Sequence, residues 1–417
     1  MTQGADREGL SRRQRRERIR GQVAVIVDAL GGPRRAAWVS AKGDDPADLE
    51  YLYRPGHVLV RDSDVDRVRE VLGGGRPVDG LIGGLTLLAL PRGLDAPEAL
   101  ERLDARLGAG VATPDHILYV TASTGGCCPA TEPEEPGSTD PVPVLSKDGG
   151  DGAGVLVCVV DTGWHSPAAA HPDTPWLAGV TGDEESIDSS AIHPYAGHGT
   201  FIAGIVRCVA PASEVRVEGF LPHGGAIYES AMVVQLDQAL ERGPDIISLS
   251  AGSHTRRHRA PLSFEVLWET RLRHLKGTVL VAAAGNDGDR IPFWPAAFPW
   301  AVSVGALDGA GARADFSNFG SWVDVYALGV DTVNAFPSGT FTCHEPPSVG
   351  EVRQFAGMAR WSGTSFATPT VAGIIAARMS RTGESARRAA DALLDLALAA
   401  AIPGVGPVLA PGPQNLP

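Results

Sequence analysis

The sequence predicts an α/β fold in which a doubly wound, mostly parallel sheet follows a smaller α+β module. Three observations carry that prediction. The apolar runs at 155–160, 246–249 and 279–283 are continuous rather than alternating, as in strands covered on both faces by helices. Segments of helical period separate these runs, the alternation expected of parallel strands joined by crossover helices. A stretch rich in Gly, Pro, Ser, Thr and acids, and poor in apolar residues, divides the chain at 121–154.

Taken in order, the chain opens on a basic stretch. Seven Arg stand among the first twenty residues against Asp6, Glu8 and Glu17, and residues 1–50 show no clean period. They read as a basic arm, solvated or folded into a short surface helix, with electrostatic docking as the alternative and no function assigned. The α+β module spans 51–121. Residues 56–61 read as a strand, Val65, Val68, Val71 and Leu72 recur at helical spacing, and Gly73 to Gly75 end that helix. Residues 85–90 form a second apolar strand, Leu100, Leu103 and Leu107 line one helix face, and 116–120 form another strand. Two strand-helix-strand units in so short a length pack as a small sandwich. Gly80, Gly83 and Gly84 lack the spacing of a phosphate cradle and read as turn residues.

Residues 122–153 are the exposed linker. Cys127 and Cys128 within it have no second pair and read as a loop rather than a metal site. The main domain spans 154–402. Its strands are expected at 155–160, 215–220, 246–249, 279–283, 302–306 and 322–326, and its helices at 200–208, 228–242, 264–275, 364–379 and 385–401. Sites in such folds form at the carboxyl ends of strands. The Pro- and Gly-rich tail, 403–417, is expected to be extended or disordered.

Composition narrows the partners. With 417 residues, 43% hydrophobic and 20% charged, the chain has the make-up of an ordinary globular protein. Its formal charge of −13 repels phosphate backbones and anionic lipid, so neither nucleic acid nor a membrane is an expected partner. No apolar run approaches a membrane span, and the run at 23–27 stops at Asp28, too short for a secretory signal. Five Cys, an odd number, fit reduced thiols. A cytoplasmic location is expected on these grounds, with secretion left open.

Four short motifs carry chemistry. Val157 to Val160 run into Asp161-Thr162-Gly163, which puts a carboxylate at the end of a buried strand; alone, it reads equally well as a turn residue. Gly197-His198-Gly199-Thr200 sets an imidazole between glycines that leave room for a close partner, and His is the usual general base near neutral pH. Ser362 to Pro369 is a small-residue turn opening a helix, whose free amides and positive end face whatever Ser365 attacks. At Ala282 to Gly288 a strand delivers Asn286, an amide donor suited to a developing oxyanion. Each motif singly has a structural explanation, such as a helix cap. Together, in this order, they form a strong signal of catalysis.

With the contexts V-V-D-T-G, G-H-G-T, A-A-G-N and S-G-T-S-F-A-T-P, residues 155–379 resemble the subtilisin-like serine peptidases, the subtilases. The resemblance implies a subtilisin-like fold and a serine endopeptidase that works through an acyl-enzyme. It implies that Ser365 is the nucleophile, that His198 takes and returns its proton, and that Asp161 orients the imidazole. Asn286 and the Ser365 amide would hold the oxyanion. It further implies that Ser248, Leu249, Ser250, Ala251 and Gly252, with Ala283, Ala284 and Gly285, line a channel for an extended polypeptide substrate. Such chemistry requires no cofactor. Many relatives bind calcium, but the acidic cluster Asp183, Glu184, Glu185 and Asp188 has the spacing of no calcium loop and reads as solvated, so the metal content stays open.

Some features depart from the family. Ser248 and Ala327-Leu328-Gly329 replace its common Asn and A-P-G, and residues 334–361, with Cys343 and His344, form a longer insertion than compact members carry. The stretch from His254 to Arg259 reads as a solvated loop, since no carboxylate accompanies it. By the same resemblance, residues 54–121 look like a ferredoxin-like prodomain. Such a module plugs the cleft as an intramolecular inhibitor and would be cut by Ser365 between Thr121 and Gly154, making the chain a self-processing zymogen. A permanent regulatory module is the alternative for that region. For the whole chain, the alternative is a catalytically silent scaffold that binds peptides or partner proteins.

Overall fold

The structure is a computed structural model and describes residues 12–120, 131–138, 140, 143, 145–221 and 224–411. Residues 12–50 are folded onto the molecule: of the solvated arm or short surface helix expected there, a helix forms, longer and more buried than expected. Helix α1 (Arg12–Ala29) buries Ile19, Val23 and Ile26, positions one helical face apart. Arg16 and Arg20 of the same helix pair with Asp48 at 2.8 Å and Asp45 at 2.6 Å. Interleaved arginines hid this apolar stripe from the sequence. Strand β1 (Ala37–Ser40) then pairs antiparallel with β2 (Leu49–Arg61).

The module continues as α2 (Val65–Leu72), β3 (Arg76–Val78), β4 (Leu85–Ala89), α3 (Ala96–Leu107) and β5 (Ala112–Val120). Its antiparallel strands lie in the order β5-β2-β4-β3, the ferredoxin-like arrangement. Both helices pack over Val58, Val60, Leu88, Leu100 and Leu103.

The larger body follows as β6 (Leu156–Asp161), β7 (Thr181–Gly182), α4 (His198–Val209), β8 (Glu214–Gly219), β9 (Ala226–Tyr228), α5 (Glu229–Leu240), β10 (Ile246–Leu249), β11 (Ala251–Gly252), α6 (Leu262–Thr270), β12 (Val279–Ala283), β13 (Ala301–Leu307) and β14 (Val325–Leu328). Seven of these strands make one all-parallel sheet in the order β14-β13-β12-β10-β6-β8-β7. Its central strands are buried on both faces, as their continuous apolar runs require. Strands β15 (Thr332–Ala335), β16 (Gly339–Thr342), β17 (Val352–Phe355) and β18 (Met358–Trp361) form two antiparallel pairs, β15 with β18 and β16 with β17, within the insertion. Helices α7 (Thr364–Thr382) and α8 (Ala386–Ala399) complete the chain's regular structure.

Two expectations shift. The strand expected at 322–326 lies further on, at β14, because Trp322 is held in a turn by its indole N–H, which donates to Arg290 O at 3.1 Å. The tail is not loose up to residue 411: Tyr326 N–H donates to Pro407 O and Leu409 N–H to Tyr326 O, both at 2.9 Å, and Leu409 is buried. Cys127 and Cys128 lie outside the described residues. Cys158, Cys208 and Cys343 are buried and free, and burial pushes each thiol up to about 12, which leaves them unreactive. No helix among the described residues is long and apolar enough to cross a membrane.

One strand joins the two bodies. Along one edge β5 pairs with β2, and its last residues pair antiparallel with β9 and β11, Tyr119 opposite Gly252 and Val120 opposite Ala251.

Candidate active site

The parallel sheet delivers the four motif residues to one place. Asp161 ends β6, fully buried, and its Oδ1 accepts the Thr162 N–H at 2.8 Å. The same oxygen lies 2.7 Å from Nδ1 of His198. His198 is the first residue of α4, where Gly197 takes φ 77° and donates its N–H to Glu185 Oε2 at 3.0 Å. A Cβ on Gly197 would collide with Pro337, and one on Gly199 would stand 2.5 Å from Gly163 O. Both glycines therefore let the helix start against its neighbours. The imidazole is buried between the rings of Trp361 and Phe366, each 5.3 Å away between centroids.

Ser365 stands in the first turn of α7, its hydroxyl 3.5 Å from Ser250 O. Its carbonyl accepts the Ser250 hydroxyl at 2.9 Å. Asn286 lies just past β12. Its Oδ1 accepts both the N–H and the hydroxyl of Thr364 at 2.9 Å, and its buried Nδ2 has no hydrogen-bond partner among the described residues. A buried donor left over in this way is costly unless a ligand meets it.

The expected substrate segments divide. Ala251 and Gly252 form β11 and carry the end of β5, and Ser250 anchors Ser365 from behind. Ser248 and Leu249 do not line the channel: they lie inside β10, paired on both edges with β6 and β12, and offer no open backbone. Ala284 and Gly285 follow β12, with Gly285 N–H on Thr364 Oγ1 at 3.2 Å. The partner on the other edge of the β5 end was not foreseen. It is β9 with Gly225, whose carbonyl accepts the Val120 N–H at 2.8 Å. Thr364 and Trp361 were also missed as supports of Asn286 and His198; Thr364 lay inside a recognised motif, whereas nothing in the sequence marked Trp361.

Two loops read as solvated are partly buried. His254 is buried with its Nε2 3.0 Å from Asp287, and Arg256 pairs with Asp104 at 2.8 Å and Glu101 at 2.5 Å of α3. Those carboxylates come from elsewhere in the chain. In the acidic cluster, Asp183 serves Arg216 and the Gly219 amide, Asp188 serves Ser190, and Glu185 serves Gly197. Burial pushes the Glu185 carboxyl up to about 7. Glu184, the fourth member, accepts the Ser166 N–H at 3.3 Å, and among the described residues no three His, Cys, Asp or Glu side chains are grouped to hold a metal.

Residues 152–398 match the subtilase family. Thermitase of Thermoactinomyces vulgaris is 31% identical over 279 residues, covering 64% of this chain and 88% of that protein. Subtilisin of Bacillus pumilus is 30% identical over 255 residues, covering 57% and 82%. Among solved structures, fervidolysin of Fervidobacterium pennivorans, a keratinolytic enzyme related to subtilisin, superposes with a TM-score of 0.58 at 19% identity, over 87% of this chain and 61% of that one. At that identity the likeness speaks for the fold. A mutant of the PatA protease domain superposes with a TM-score of 0.50 at 27% identity, over 62% of this chain and 91% of that one. Fold and relatives together define a serine endopeptidase, a hydrolase of peptide bonds that requires no cofactor for its chemistry. The chain belongs to the subtilase family.

Proposed function

We propose that hydrolysis runs through Ser365, His198 and Asp161. The observation that carries this reading is the 2.7 Å contact of Asp161 Oδ1 with His198 Nδ1 beside the helix start that bears Ser365. With Nδ1–H donated to Asp161, Nε2 is left to take the Ser365 proton as the hydroxyl attacks the peptide carbonyl. The oxyanion then meets Asn286 Nδ2 and the Ser365 amide, and the proton on His198 passes to the leaving amine. Water repeats the sequence on the acyl-enzyme. Thr364 fixes the Asn286 amide by occupying both lone-pair directions of Oδ1.

The chain is read further as a self-processing zymogen whose N-terminal module is its intramolecular inhibitor. The seating of Tyr119 and Val120 on β9 and β11 supports this, because the segment occupies backbone that an extended substrate would use. Thr131 resumes beyond the nucleophile, its N–H on Ser362 O at 3.2 Å. The scissile bond is accordingly placed by this reading between Val120 and Thr131. Intact-mass measurement tests it: the wild-type chain is expected to split in that interval while Ser365→Ala stays whole. Two full-length masses would overturn self-processing. An active-site serine phosphonate is expected to label the split wild-type chain and not Ser365→Ala; no uptake by either would favour a silent scaffold.

A further inference from the structure

The segment at 131–140 carries four carboxylates, Glu132, Glu134, Glu135 and Asp140, and all of them are met by the insertion or by β18. Glu134 N–H donates to Arg360 O at 2.9 Å, and Arg360 N–H returns to Glu134 O at 2.8 Å. The Glu134 carboxylate rests on the Arg360 guanidinium, whose Nη1 also reaches Asp140 at 3.2 Å. The His344 and Gln354 amides donate to Glu132 and Glu135 at 2.5 and 2.6 Å. Arg353, paired with Glu351, donates to Pro133 O at 2.8 Å, and the Trp361 indole N–H donates to Thr131 O. This acidic segment meets the edge of β18 through one antiparallel bridge, Glu134 opposite Arg360, in the manner of an added strand.

The direction of the added strand matters. β18 leads towards Ser365, and Trp361 at its end touches the His198 ring. An antiparallel neighbour therefore leads away from the nucleophile as it runs to its own carboxyl end. The end of β5, Val120 opposite Ala251, and the start of this segment, Thr131, line one cavity with His198 and Trp361. The β18 edge thus lies where the part of a substrate after the scissile bond departs. It presents a cation and main-chain N–H groups on a protein whose net charge is −13. A neutral segment there would leave the part-buried Arg360 without its two acids.

We propose that the β18 edge, with Arg360 and the His344 and Gln354 amides, is a leaving-side subsite for acidic extended polypeptide. In this structure the chain's own residues 132–140 occupy it, and protein substrates with acids after the scissile bond take their place. The inference rests on the catalytic reading above. The test uses three fluorogenic peptides: residues 117–140, the same peptide with its four acids replaced by Gln and Asn, and residues 117–131 alone. The wild-type chain is expected to cleave the acidic peptide with about tenfold higher kcat/KM than the neutral one. In Arg360→Gln that ratio falls to near one, and because it is taken within one enzyme, a loss of folded fraction cancels. Equal values in wild type, with the short peptide still cut, would overturn the subsite and spare the catalytic reading. A ratio surviving in Arg360→Gln would overturn the assignment to Arg360. Cleavage of no peptide would overturn both readings. Glu132→Gln, Glu134→Gln and Glu135→Gln made together in the chain are expected to raise kcat/KM on the acidic peptide by removing its competitor; an unchanged value would overturn self-occupancy.

Discussion

The parallel sheet and the seat of β5 are both buried in apolar contacts, yet the seat adds a network of buried polar groups. Between the strands and helices of the sheet the filling is apolar: Val157, Val159, Val281, Phe201 and Phe366 are all sealed from solvent. Beneath β5, Ile117, Leu118, Tyr119 and Val120 pack on apolar residues such as Ile227, Met232 and Phe293, and a polar network lies beside them. Asp115 accepts the N–H and hydroxyl of Ser230 at 2.9 and 2.8 Å, His116 lies 2.5 Å from Glu229, and Ser263 closes on the other Glu229 oxygen. Apolar burial holds at any pH. A polar joint is satisfied only while docked, and its strength follows the protonation of its members. The first arrangement is insensitive to pH and the second is not.

That contrast can be broken by experiment, most severely at the sheet. Phe201→Ala removes a ring packed 4.7 Å from Phe366 and 5.9 Å from Trp361. It is expected to cost about 3–5 kcal/mol in urea unfolding of the Ser365→Ala chain. A cost below about 1 kcal/mol would mean that the core is not what holds the body together.

A smaller effect is expected from pH at the seat. Burial raises Asp115 from 3.8 to about 6, with Glu229 adding to the rise and Ser230 and Arg54 opposing it. The docked carboxyl therefore holds a proton that the released strand gives up. Its contribution is complete below pH 3.8 and lost as pH rises through about 6. Protection of the β5 amides from hydrogen exchange, corrected for intrinsic rates in the Ser365→Ala chain, is expected to fall by up to about a hundredfold across that window. Asp115→Asn should flatten the profile; an unflattened one would assign the pH dependence to another group.

The smallest effect belongs to the rim. Arg61 pairs with Glu269 at 2.6 Å, both side chains a third or more exposed. Arg61→Ala is expected to change the same exchange by no more than about 0.5 kcal/mol. A loss several times larger would show the seat to be held from its edge rather than its centre.

The proposed catalytic residues were legible because each sits in a motif whose demands are local. Gly197 must take a positive φ to start α4, small residues must surround the turn into α7, and Asp161 must end a buried strand. Their supports were not legible, because the partner lies far along the chain: Thr364 reaches Asn286 across 78 residues, and Asp287 reaches His254 across 33. The same distance misled the reading of His254 to Arg259, whose carboxylates are contributed by α3 and the loop after β12.

The sequence by itself determined β6, β8, β10, β12 and β13 of the parallel sheet, the helices over it and the motifs that hold Asp161, His198, Asn286 and Ser365, since apolar period and glycine placement act over a few residues. Only the tertiary structure decided that α1 folds back, that Ser248 and Leu249 are paired on both edges inside β10, and that β5 and Thr131 meet at one cavity beside His198. Those outcomes depend on which backbone edges are left unpaired once the sheet has formed, and pairing between distant strands leaves no local signature.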